Sequence, residues 1–273
     1  MSEAAAIEEE EDGPRADRPM TLGAHLDELR RRLIRSVLYV LAGSALALVF
    51  EGELTGFILF PYWEVLHLLP GAGFQVTEVS EAFFTRMWLA IVVGLFVAGP
   101  FVLLEVWGFI SKGLYDRERR WVRIFAPISL FLFVEGVVFY YYVVQPGTLA
   151  FLLPYGVDVP MLGGTVVEHV AVQLRLETTV RFYLVMSLVM GLTFQFPLGM
   201  IFAQKLGIAT WRTYVKYWRH FFLGSMVAMA ILTPSPDAAT LGVCMVPVLF
   251  LFAAGIVVCW ILEPNAAKEQ DAS

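Results

Sequence analysis

Charge is scarce in this chain. Asp, Glu, Lys and Arg make up 16% of its 273 residues, whereas 58% are hydrophobic and the mean hydropathy is +0.70. That balance excludes an ordinary soluble domain and marks an integral membrane protein. Cysteine is nearly absent. Cys244 and Cys259 share one apolar segment, where helical geometry sets them about 22 Å apart, too far to pair with each other. There is accordingly no disulfide framework or zinc motif. The four histidines, at 25, 67, 169 and 220, are scattered with no HExxH, and no glycine-rich run ends in Lys-Ser or Lys-Thr. Nothing marks a metal, a cofactor, a nucleotide or a nucleic-acid partner. The apolar segments also lack a Ser-His or paired-Asp arrangement, so the reading is of a protein that is not an enzyme.

The charge that is present is unevenly spread. Residues 1–20 hold seven acids against Arg15 and Arg18, which supplies −5 of the formal net charge of −6. With Pro14 and Pro19 and almost no apolar residues, this tail is expected to be disordered, and it lacks the basic start and apolar core of a cleaved signal peptide. A membrane helix needs about 20 apolar residues. Six segments approach that length within a single region, 21–262, at about 33–50, 84–110, 122–144, 180–203, 219–233 and 238–262. Pro100 is expected to kink the second, and the short fifth forms a hairpin with the sixth across Thr233-Pro234-Ser235-Pro236. The fold class is all-α and polytopic, with residues 263–273 as a terminal tail.

Basic residues orient the bundle, because short cytoplasmic loops collect Lys and Arg. Sixteen of the nineteen lie before span one, between spans two and three, between four and five, or in the terminal tail. Only Arg86, Arg175 and Arg181 fall on the other side, although it carries the two longest connections, 51–83 and 145–179. Both termini are therefore expected in the cytoplasm. The outer connections are rich in proline and glycine, contain a possible strand or turn at GFQVTEV, and are expected to cap the outer face.

At the cytoplasmic edge of span one, HLDELRRRLIR places Glu28 among arginines. Two readings fit. Glu28 pairs with Arg32 along the helix at i,i+4, or it faces a cationic ligand. The second reading needs another carboxylate nearby, and GLYDRERR in the next cytoplasmic loop offers Glu118. Two acids on separate loops could hold two arginines through bidentate forks that lysine cannot reproduce. Glu105, near the cytoplasmic end of span two, either extends that acidic surface or pairs with Lys112, two turns away.

These segments, with GPFVLLEVWGFISKGLYDRERR, YYYVVQP, FQFP and LTPSPD, resemble the TatC family of the twin-arginine translocase in order from about Thr21 to Leu262. The resemblance implies a six-span receptor in the prokaryotic cytoplasmic membrane. Such a receptor binds the paired-arginine signal peptides of folded proteins, assembles with TatA, TatB and further TatC copies, and draws on the proton-motive force. It also implies that Glu28 and Glu118 contact the paired arginines, with Arg30, Arg119, Arg120 and Phe109 at matching motif positions and Glu105 on the same surface.

On the same resemblance Thr233 occupies a position linked to partner-helix docking. Thr240 or Leu241 follows it, depending on where the extra Ser235 falls. Gln195 lies mid-membrane before Pro197, where it serves either as a helix-packing hydrogen bond or as a functional polar group; as Gln it releases no proton. Glu135 stands inside span three and is expected to pair with Arg86 or Arg181. The rival reading is a secondary transporter with a midplane site at Gln195 and Glu135, although no 3+3 repeat is visible.

Overall fold

The computed structural model describes residues 22–67, 71–150, 173–232 and 238–263, so the acidic tail 1–20 and the terminal tail from 264 lie outside the described residues. Helix α1 covers Leu22–Val49, α2 Glu51–Leu66, α3 Glu81–Gly113 and α4 Asp116–Phe139, which passes into a π-helical turn at Tyr140–Val144. Then follow α5 Leu176–Thr193, α6 Gln195–Lys205, α7 Trp211–Lys216, α8 Trp218–Leu232 and α9 Ala238–Ile261. Among the described residues, five segments are long and apolar enough to cross a membrane: 23–49, 81–113, 118–150, 176–205 and 241–261. The sixth expected span is α8, which is short at 15 residues. Together these features make the chain a mostly helical polytopic membrane protein.

Proline and glycine shape the helices differently. Pro197 has no N–H to give the carbonyl of Thr193 and its ring crowds that oxygen, so the fourth span breaks at Phe194 into α5 and α6. By contrast, α3 runs through Pro100 and α4 through Pro127. Helices α1 and α3 touch backbone to backbone, since a Cβ on Gly43 would lie 2.6 Å from the Gly94 carbonyl oxygen. Phe133 of α4 fills the space between Gly99 of α3 and Gly191 of α5, and a Cβ on either glycine would collide with its ring. Small residues thus let three spans close on one another in a medium where association rests on packing rather than on expelling water. Leu89, Tyr140, Val180, Leu184, Met186 and Met190 fill the main core.

The connection 51–83 is more ordered than Pro61 and Pro70 imply. About half of it is α2, whose Ile58, Tyr62 and Leu66 are buried in the main core. The GFQVTEV stretch does contain a strand. Residues Gly73–Gln75 (β1) pair in parallel with Gln173–Arg175 (β2). Beside them Glu81 is buried and fully engaged. Its Oε2 accepts from the Thr77 backbone N–H (2.8 Å) and hydroxyl (2.6 Å), while Oε1 accepts from the Glu177 N–H (3.2 Å) and faces Arg175 Nε (3.3 Å). One carboxylate therefore ties the two loop-end connections together.

Candidate functional site

The opposite end of the bundle carries the arginines. The first three turns of α1 pack along the last turns of α3, and the contact is ionic. Arg32 Nε donates to Glu28 Oε1 at 2.7 Å, and its Nη1 donates to Glu105 Oε2 at 2.8 Å and to the Glu105 carbonyl at 3.3 Å. Arg31 flanks Glu28 at 3.3 Å, and Arg35 flanks Glu105 at 3.6 Å. A single guanidinium is thus forked between carboxylates of two helices, all three side chains more than four-fifths buried. Gly108 makes this possible, because a Cβ there would collide with the Arg32 guanidinium. One turn on, the His25 ring stacks on Phe109 at 4.3 Å between centroids.

Glu118 stands in the first turn of α4. Its N–H donates to the Tyr115 carbonyl, and its half-exposed carboxylate has no ion pair or hydrogen bond among the described residues. Arg119 Nε reaches back to the Ser111 carbonyl at 3.2 Å, which fastens the start of α4 to the last turn of α3. Glu105 and Ser111 are about 9 Å apart along α3. The free acid and the paired acids therefore share one end of the bundle without being bonded to each other. Arg120 lies over the Trp121 ring, 5.3 Å from its centroid, and Arg30 is exposed with no ion pair among the described residues. Trp107, Phe125 and Phe202 pack edge to face beneath this surface and hold α3, α4 and α6 in place.

Several expectations resolve here. Glu28 is paired with Arg32, as the intrahelical reading has it. Glu105 pairs with Arg32 and Arg35 of α1 rather than with Lys112. The signal for this was the acid and glycine at 105 and 108, one helical face with room for a guanidinium. Gln195 is a packing residue: its Oε1 accepts from the Ser129 hydroxyl at 2.7 Å, and its Nε2 donates to the Ser129 carbonyl at 3.2 Å. It also edges an apolar groove of about 640 Å³ between Leu192, Phe196, Met200 and Phe221.

The expected pairing of Glu135 is wrong. Arg86 is bonded to Glu51 at 3.0 Å and Arg181 lies over Trp88, while Glu135 is exposed on α4 with no partner among the described residues. Its helix turns it outward, because Phe133 and Gly136 occupy the face packed on α3 and α5. With Gln195 bonded to Ser129 and Glu135 facing out, the midplane pair of the transporter reading does not form. Thr233 and the Thr240 side chain lie outside the described residues.

Comparison with known proteins follows the same lines. The TatC family model, described as Sec-independent protein translocase protein, matches residues 24–247. A Sec-independent protein translocase protein TatC of Deinococcus radiodurans is 32% identical over 90% of this chain and 88% of its own. The one from Synechocystis is 35% identical over 88% of each. A crystal structure described as the twin arginine translocase receptor TatC superposes with a TM-score of 0.75 at 28% identity, covering 87% of this chain and 98% of that one.

Proposed function

We propose that this chain, which belongs to the TatC family and is a multi-pass membrane component of the Sec-independent protein translocase, serves there as the receptor for twin-arginine signal peptides. The observation that carries the reading is the fork at Arg32. Two carboxylates on neighbouring helices already hold a guanidinium in charge-assisted hydrogen bonds, and Glu118 stands at the same end with no ion pair among the described residues. A ligand arginine engages Glu118 directly. A second one competes with Arg32 for Glu28, while Glu105 keeps Arg32 and spares it an unpaired charge. Glu105 is thereby a positioning residue, and Arg30, Arg119, Arg120 and Phe109 frame the same surface. The chain binds its ligand rather than transforming it.

The basic residues favour a cytoplasmic position for this end and for both termini, in a prokaryotic inner membrane. Regions 1–20, 21–262 and 263–273 then act as tail, translocase domain and tail. TatA- and TatB-type helices, for which Thr233 and Thr240 are the docking candidates, and further copies of this chain complete an assembly driven by the proton-motive force. The test is photocrosslinking from positions 28 and 118 to a twin-arginine peptide in inserted protein. Adducts are expected from both positions and lost when the peptide's arginines become lysines. Equal adducts with the lysine peptide would sink the assignment.

A further inference from the structure

Glu135 has no role in the receptor surface, yet its setting is organised. On α4 the residues Ile124, Ile128, Phe131, Glu135 and Val138 are all exposed, at successive intervals of four, three, four and three. That is the spacing of a helix-pairing seam, with Ile128 and Glu135 at one kind of position and Ile124, Phe131 and Val138 at the other. The opposite face of α4 is already used, since Val122, Phe125, Ser129, Phe133 and Gly136 are buried against the bundle. The seam therefore faces away from this chain's own fold.

Depth makes the acid informative. Glu135 lies about 18 Å along the helix from Arg123 at one end and about 16 Å from Pro146 at the other, too deep for its side chain to reach water. Acids at such depth normally face a bundle interior and a partner. None of the three basic residues of the loop end is available, because Arg86 is held by Glu51, Arg175 by Glu81 and Glu177, and Arg181 lies over Trp88.

We propose that this seam is where a second copy of this chain packs, α4 against α4, so that the two Glu135 side chains meet at one level and hydrogen-bond to each other. A carboxylic acid complements itself, because one carboxyl group carries both an O–H donor and a carbonyl acceptor. Two copies inserted in the same direction bring the acids to equal depth by symmetry, whereas any other partner must supply a donor at that depth. The remaining layers of the seam are apolar. One polar layer in an apolar seam fixes the register of a helix pair, which explains why an acid is placed there.

The full-length protein in liposomes tests this. Phe131→Cys and Val138→Cys, oxidised with copper phenanthroline, are expected to give disulfide dimers several-fold above Leu41→Cys, an exposed site on α1. Cys244 and Cys259 are buried, and the chain without added cysteine sets the background. In either background Glu135→Ala should lower dimer yield several-fold, and Glu135→Gln, which also pairs with itself, should preserve it. A hydrophobic carbodiimide should label Glu135 at high lipid-to-protein ratio and lose access as the ratio falls. Dimer yields at 131 and 138 no higher than at 41 would overturn the proposal. So would a yield indifferent to Glu135→Ala, labelling independent of protein density, or crosslinks in native membranes to a different protein alone.

Discussion

At the scale of single residues, the chemistry of the basic end turns on where one guanidinium points. Arg32 reaches Glu105 only because position 108 has no Cβ, so Gly108→Val is expected to evict it and reduce export of a folded twin-arginine reporter roughly tenfold. Gly113→Ala is the control, since its new methyl would meet only His25 Cε1 at an ordinary 3.5 Å. Export assays with parallel checks of insertion would decide; equal effects from both would assign the loss to helix packing. Glu28 and Glu118 were legible as candidates because acids amid arginines at a membrane edge are unusual. The direction of Glu28 was not legible, because i,i+4 spacing is compatible with pairing or with ligand contact. The role of Glu105 was missed for a physical reason: its partner comes from another helix, and sequence spacing along α3 suggests only Lys112.

At the scale of helices, small residues and one amide set how closely the spans approach. Gly94→Leu would drive a side chain into the Ser44 backbone of α1, and overpacking of this kind costs about 1–3 kcal/mol. Thermal unfolding in detergent should show the loss, and an unchanged midpoint would mean that α1 is held by the Arg32 fork alone. The Ser129–Gln195 pair lends itself to a double-mutant cycle, Ser129→Ala against Gln195→Leu. Membrane hydrogen bonds of this type couple by about 0.6–1.7 kcal/mol, and zero coupling would contradict the bond from the Ser129 hydroxyl to Gln195 Oε1, since the Ser129 carbonyl survives in the alanine variant. Five of the six spans could be read from apolar length alone. Helix α2 could not, because Pro61 and Pro70 read as loop, whereas burial of Ile58, Tyr62 and Leu66 overrides that local preference.

At the scale of the whole molecule, the two ends are built on opposite plans. The basic end offers charges to a ligand, and the loop end uses its charges on itself. Glu81→Ala removes the acceptor shared by Thr77, Glu177 and Arg175, so the 71–80 connection should become several-fold more sensitive to protease applied from that side. Crosslinking of twin-arginine peptide at the other end should persist; loss of both would indicate global unfolding. The same clasp also bears on synthesis. Strand β1 pairs Gly73 with Gln173, a partner about a hundred residues downstream. At ~5–20 residues per second, β1 and the Glu81 carboxylate wait on the order of 5–20 s for their counterparts to leave the ribosome. The first half of the protein is therefore inserted before it is latched, and the arrival of Arg175 and Glu177 closes the loop end of the bundle.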